Sequence, residues 1–372
     1  MKGFSLISLH EQEESAYHGD GRAVLAGLIY LQVRTWQKFE WHKFAAATQG
    51  ANFYFIGLGA AMIYFDYYLR AVRWKILLRP VCRTTSWRLL PPTVIGFTGT
   101  ALLGRPGEFI RPLLIARRER LSMAAQMAVW TVERIFDVGA FAVIMAANIL
   151  WAERRLRQLP GFQGSYHKFL GFHVSAFDMF KISAFIILGG TALVALCAAA
   201  IRKNPTMAAR FTGKVFCVIS KKLGDGIAHR VHAFGEGLNT IHNLGSFIQL
   251  SAVSLLIWVM IGLSYVAVTH AYTDPTLSSM NLSSTLFLTA GSVAGGLLQL
   301  PMVGGGSQLA TISILKNIFQ VQPEVATSAG MMLWLVTFMS IIPVGLFMAH
   351  RERLSFMKLE QESEELENRE IG

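Results

Sequence analysis

The distribution of apolar residues constrains this chain more than any other feature. Asn52–Leu69, Met123–Trp151, Ala176–Ile201, Phe247–His270 and Ser328–Ala349 are long, predominantly apolar blocks. At 1.5 Å per residue, each is about long enough to cross a hydrocarbon core of ~30 Å as a helix. A helix on the surface of a water-soluble domain needs only one apolar stripe. A shorter run, Ala23–Val33, follows a polar segment over residues 1–22 and reads as a short first span or a half-buried anchor. Composition agrees: 53% of the residues are hydrophobic and 15% are charged, against about 25% charged in soluble domains.

The formal charge is +11. A basic chain can bind nucleic acid or an anionic membrane, and position separates the two. Here Lys and Arg fall in short loops between apolar blocks, the positive-inside pattern. Arg70, Arg73, Lys75, Arg79, Arg83 and Arg88 follow the second block; Arg117, Arg118 and Arg120 come later. Further groups run from Arg202 to Arg230 and from Arg351 to Lys358. These four regions are expected in the cytoplasm, with the charged tail 351–372. The loop Ala271–Ser284 has no Lys or Arg and is expected outside, as is Ala152–Ser175 despite its Arg154, Arg155, Arg157 and Lys168. Within Pro205–Ile241, basic residues alternate with Phe211, Val215, Val218, Ile219 and Leu223. That pattern suits either a helix lying on an anionic leaflet or an ordinary packing helix. No nucleic-acid interface is expected.

Two apolar stretches are interrupted. In the first, Arg105-Pro106-Gly107 separates Pro91–Gly104 from Glu108–Ile115. In the second, Pro301-Met302-Val303-Gly304-Gly305-Gly306 separates Thr285–Leu300 from Ser307–Phe319. Pro removes a backbone donor and Gly loosens a helix, so backbone groups are freed. Such groups cannot face lipid. Both stretches are therefore read as re-entrant helical hairpins. The charge assignment closes only if each hairpin returns to the side it entered from. The expected fold is all-α and polytopic: about six spans plus two hairpins within residues 23–350. It forms an inverted repeat, with halves at about 23–151 and 176–350. Paired broken elements of this kind mark the binding region of transporters.

Charge inside a span is costly and marks a functional candidate. Glu133, Arg134 and Asp137 lie about ten residues into the block that begins at Met123. Arg105, Glu108 and Arg111 flank the first break. Pro106 suits a first helical turn, and the exposed N–H groups of that turn plus two arginines suit a phosphate. These six residues are expected to form one polar site near mid-membrane. At the second break, Gly304, Gly305 and Gly306 permit close backbone approach, and Ser307 is expected to cap the following helix. Gly291 and Gly295, four apart, suit helix packing. Asp66 with Arg70 reads as an interfacial ion pair. Cys82, Cys197 and Cys217 have no paired spacing, and no His or Cys pattern suggests a metal. No cofactor motif and no nucleophile motif occurs, so an enzyme is not expected.

Four ordered stretches resemble the motifs of a known family. They are Leu69-Arg70-Ala71-Val72-Arg73-Trp74, Gly104-Arg105-Pro106-Gly107-Glu108-Phe109-Ile110-Arg111-Pro112, Val132-Glu133-Arg134-Ile135-Phe136-Asp137, and Leu300-Pro301 through Gly306. Together they resemble the lysylphosphatidylglycerol synthase transmembrane region family, the flippase-like half of the multiple peptide resistance factor, over about residues 50–350. The resemblance implies a multi-pass protein of a bacterial inner membrane that translocates a lipid or a lipid-linked, phosphate-bearing substrate. The alternative is a membrane-embedded accessory or catalytic partner of a lipid or glycosyl transferase. The implied partners are anionic or phosphate-bearing membrane lipids. The aminoacyl-transferring domain of larger relatives has no counterpart in this sequence, so lysyl transfer is not implied.

Overall fold

The computed structural model describes residues 44–45, 48–163, 166–169, 172–203, 206–207, 210, 244–297 and 305–352. Several expectations lie outside them: the segment 1–22 and the run Ala23–Val33, nearly all of Pro205–Ile241, Pro301 and Gly304, and the tail beyond residue 352.

The first helix, α1, runs Phe53–Leu78. The Asn52 side chain caps it by accepting from the Tyr54 N–H at 3.0 Å. The helix continues well past Leu69, where the apolar block ends. Arg70 and Arg73 are therefore helical, and both are buried. The expectation that they sit in a basic loop is corrected: apolar runs report where a helix is lipid-compatible, not where it stops.

Next comes the first hairpin. Helix α2 spans Ser86–Leu103, a 3-10 turn covers Arg105–Phe109, and α3 covers Ile110–Arg118. The chain reverses at Gly104, whose φ of +71° is a conformation that favours Gly. Pro106 sits in the first turn of the 3-10 segment. A Cβ on Gly107 would collide with the backbone carbonyl of Gly99, so the two legs touch backbone to backbone. At the mouth, the Thr84 hydroxyl donates to Glu119 Oε1 at 3.0 Å and Arg88 reaches the same oxygen at 3.4 Å. With nine residues, α3 is about 14 Å long, too short to cross a membrane.

Helix α4 is Met123–Arg157. A short two-stranded ribbon follows, with β1 Tyr166–Phe169 antiparallel to β2 Phe172–Ser175, and Phe169 opposite Phe172. This ribbon was not anticipated; its Tyr, Phe and Val content favours extended backbone. Helix α5 is Ala176–Lys203, α6 is Leu244–His270 and α7 is the single turn Pro275–Ser278. The second hairpin has legs α8, Leu282–Leu297, and α9, Gly305–Asn317. A Cβ on Gly295 would collide with the Gly306 carbonyl, and Gly291 faces Ile314. The expected packing role of these glycines is met. Helix α10 is Pro323–Glu352, with a π-helical segment at Leu335–Met339. Two carbonyls next to it are taken up by hydroxyls of other helices: Tyr64 donates to Ser340 O at 2.6 Å and Thr98 to Ile341 O at 3.3 Å.

Among the described residues, three helices, Ala125–Arg157, Leu244–His270 and Pro323–Glu352, are long and apolar enough to cross a membrane. Apart from the one ribbon, the described residues form a helical, polytopic membrane fold. At its centre α1 and α6 run antiparallel. The Asn52 N–H donates to Ala271 O at 2.8 Å at one end, and Arg79 donates to Gln249 at 2.8 Å at the other. Between them, the Ser264 hydroxyl donates to Gly59 O at 2.9 Å.

The contacts fall into two matching sets. Helix α1 packs on α2, α2 folds back on α3, and α3 packs on α4. Likewise α6 packs on α8, α8 on α9, and α9 on α10. Each hairpin's first leg also meets the long helix of the other set. Thr98 contacts Ile341, and Asn148 donates to Ser283 O at 3.1 Å. The mouths open at opposite ends. The first lies beside the end of α10, where Arg118 pairs with Glu352 at 2.6 Å. The second lies beside the loop after α4, where the Gly161 N–H donates to Ile318 O at 3.0 Å.

Candidate functional site

Seven ionisable side chains converge where α1, α3 and α4 meet. On α1, Asp66, Arg70 and Arg73 are spaced four and three apart, so they share one helical face. On α4, Glu133, Arg134 and Asp137 occupy about one turn, roughly 15 Å along the helix from its start. Arg111 comes from α3. A Cβ on Gly96 of α2 would collide with Arg111 Cβ, so the glycine lets α3 lie close enough for Arg111 to reach inward.

Arg73 is the hub. Its Nη2 lies 2.7 Å from Glu133 Oε1 and its Nη1 2.6 Å from Asp137 Oδ1. The same Nη1 donates to Ser254 Oγ of α6 at 3.2 Å. Arg111 forks onto both oxygens of Glu133, with Nη1 at 3.0 Å from Oε1 and Nη2 on Oε2. Arg134 pairs with Asp137 at 2.9 Å and lies 3.6 Å from Glu133. Arg70 holds Asp66 at 2.8 Å and approaches Asp137 at 3.8 Å. Arg73 and Glu133 have no exposure, whereas the Arg134 side chain is 36% exposed.

Aromatic rings wall the cluster. The Arg111 guanidinium lies 4.2 Å from the Trp74 ring centroid and 5.3 Å from that of Phe97. Arg70 lies 4.8 Å from the Phe97 ring. Such faces stabilise a desolvated cation. The Trp74 indole N–H donates to Gln126 Oε1 at 3.2 Å, and the Trp258 indole N–H to the Asp137 carbonyl at 3.0 Å.

Among the described residues, four guanidinium groups meet three carboxylates, leaving one formal positive charge. Three buried donors, Arg73 Nε, Arg134 Nε and Gln126 Nε2, have no partner among the described residues, and neither does one acceptor, Asp66 Oδ1. Unpaired buried polar groups are costly, and each calls for an explanation. Donors in excess, beside surplus positive charge and a half-exposed arginine, have the chemistry of an anion site.

The expected site is thus partly assembled. Arg111, Glu133, Arg134 and Asp137 meet as the sequence suggested. The backbone of Arg105 lies in the 3-10 turn. Glu108 is half-buried on that turn and joins no ion pair of the cluster among the described residues. Asp66 and Arg70 form the expected ion pair; both are buried, and Arg70 links the pair to Asp137. Arg73, Trp74 and Gln126 were not singled out as site residues. The common face of positions 66, 70 and 73 was the available signal. Ser307 does not cap α9, which begins at Gly305; its hydroxyl instead shares a 2.6 Å hydrogen bond with Ser292, which in turn bonds Tyr265 at 3.0 Å. Gly305 and Gly306 open α9, with Gly306 against α8.

Comparison with curated proteins and with solved structures finds no match. The sequence profile of one family, described as the lysylphosphatidylglycerol synthase TM region, matches residues 21–345. With a match over most of its length, this chain belongs to the lysylphosphatidylglycerol synthase transmembrane region family.

Proposed function

We propose that this protein is a flippase-like transporter that carries a phosphate-bearing lipid headgroup across a bacterial inner membrane, with its C-terminus in the cytoplasm. The observation that carries this reading is the buried cluster with one cation in excess and unpaired N–H donors. A permanently closed helix pin would be expected to neutralise itself, because an uncompensated buried charge is several kcal/mol unfavourable. An ionised phosphodiester would supply the missing negative charge and accept from the free donors.

The helix arrangement supports transport. Two matching sets of helices, each with a hairpin, open at opposite ends and meet along the antiparallel α1 and α6. We read them as inverted repeats, an architecture in which one half rocks against the other around a central site. Arg134, the most exposed of the four guanidiniums, is the group a headgroup meets first. Glu133 and Asp137 position the arginines, Arg111 among them, and Gly305, Gly306 and Ser307 shape the second hairpin.

The test is movement of fluorescent phosphatidylglycerol between leaflets in vesicles holding the purified chain. Arg111→Lys keeps the charge but loses the planar fork. It should slow movement about ten- to a hundredfold while size exclusion still shows folded protein. Glu133→Gln should do likewise. Normal movement in both variants would remove the cluster from the substrate path. If a lipid or glycosyl acceptor is modified without any movement, the accessory or catalytic reading replaces transport.

A further inference from the structure

The three carboxylates of the cluster are held unequally. Glu133 meets Arg73 and Arg111, and Asp137 meets Arg73 and Arg134. Asp66 meets one cation. Its Oδ2 accepts from Arg70 Nε at 2.8 Å, while its Oδ1 is buried without a partner among the described residues. A bare carboxylate oxygen in a low-dielectric setting is the one most readily neutralised by a proton. The guanidinium that holds Asp66 also points its Nη1 at Asp137 Oδ2, 3.8 Å away. That is a small movement short of a hydrogen bond.

The groups facing Asp66 are Arg70 and Arg73 from its own helix and Asp137 from α4, with Tyr67 beside it. On the other helices packed against α1, Glu133 and Arg134 of α4 belong to the same cluster, Arg88 opens α2, and Tyr265 and His270 lie toward the end of α6; Glu153, Arg154, Arg155 and Arg157 of α4 and Glu324, His350, Arg351 and Glu352 of α10 lie near helix ends. Among the described residues, Asp66 is the most weakly paired carboxylate of the cluster.

Building on the anion-site reading above, we propose that Asp66 is the proton-binding site of the cluster, and that its protonation raises affinity for an anionic headgroup. The step is a simple addition. A proton from water joins Oδ1, Asp66 becomes a neutral carboxylic acid, and no other covalent bond changes. Arg70 then has no ionic partner at Asp66 and turns to Asp137. Asp137 is now shared by Arg70, Arg73 and Arg134, so the half-exposed Arg134 is released toward the ligand. The surplus of the cluster rises from one formal positive charge to two. By linkage, the bound anion in turn favours the proton. Proton and headgroup travel together, so a proton gradient would drive the headgroup.

The probe is dihexanoyl phosphatidylglycerol, whose phosphodiester stays ionised throughout the range used, titrated onto the full purified chain in detergent. Binding should tighten about tenfold from about pH 8 to about pH 5.5. It should take up protons from weakly buffered solution and add a carboxylic-acid carbonyl band to the infrared difference spectrum. Asp66→Asn should bind with the acid-form affinity at both pH values, without proton uptake and without the band. Wild-type binding that is independent of pH, or that takes up no proton, overturns the proposal but leaves the anion site standing. So does an Asp66→Asn variant that keeps the wild-type pH dependence. Absence of binding at any pH fails the anion-site reading itself. Should Asp66→Asn not fold, the wild-type band still decides: on labelling with carboxyl-13C aspartate it must shift, and a band that does not shift rules Asp66 out.

Discussion

Arg73 Nη2 lies 2.7 Å from Glu133 Oε1, and neither side chain has any exposure. The two residues belong to different helices, so this contact welds α1 to α4. Removing one partner of a buried pair leaves the other charge uncompensated, at about 3–5 kcal/mol. Arg73→Ala should therefore lower the unfolding temperature in detergent sharply. Because the sites share one network, Arg73→Ala with Glu133→Gln should cost less than the sum of the two single changes. Strict additivity in the melting data would argue against a shared network.

The hairpins depend on backbone contact, and steric tests follow directly. Gly107→Ala and Gly295→Ala place a methyl group into the carbonyls of Gly99 and Gly306. Overpacking of this kind costs about 1–3 kcal/mol. Gly57→Ala and Gly189→Ala point into open space and serve as controls; in helices they should be neutral or slightly stabilising. Equal melting temperatures for all four variants would contradict the close packing of the hairpin legs.

Orientation is open to a labelling experiment. Arg83, before the first hairpin, and Ser278, after α6, are both exposed and lie at opposite ends of the fold. With Cys82, Cys197 and Cys217 replaced, single cysteines at these positions can be challenged in intact cells with an impermeant maleimide. Ser278→Cys should label and Arg83→Cys should not, until the membrane is permeabilised. The reverse pattern would invert the topology and place the first hairpin mouth outside.

Cys82 reports on the same hairpin mouth. Partial burial raises its thiol above the ordinary value, the Glu119 carboxylate raises it further, and Arg88 opposes both. A raised thiol is less ionised at neutral pH, and the thiolate is the reactive form. Alkylation of Cys82 should thus be slow near pH 7 and accelerate as pH rises past the usual thiol range of about 8.5. Glu119→Gln should speed it at a given pH by removing the repelling charge. A rate profile unchanged by that substitution would mean that Glu119 does not sit over the loop.

The membrane class and the two helix–break–helix stretches were legible from residues alone, because both depend on local chemistry. Long apolar blocks need lipid or a buried core wherever they occur, and Gly104 frees the backbone for a reversal while Pro106 fixes it, whatever surrounds them. Arg111, Glu133, Arg134 and Asp137 were legible for a related reason, since charge inside an apolar block is costly in any fold. The remainder of the site was not. Arg70 and Arg73 lie where an apolar run gives way to basic residues, and by composition they resemble a cytoplasmic loop. Only the packing of α1 against α4 and α6 carries them inside, with Asp137, Glu133 and Ser254 as partners. Ser307 likewise has the chemistry of a cap, but α8 supplies Ser292 at hydrogen-bonding distance while the helix begins two residues earlier. Sequence determined which groups cannot face lipid or water alone; tertiary structure decided their partners, because an ion pair or a close backbone approach requires residues tens of positions apart to be brought within about 3 Å.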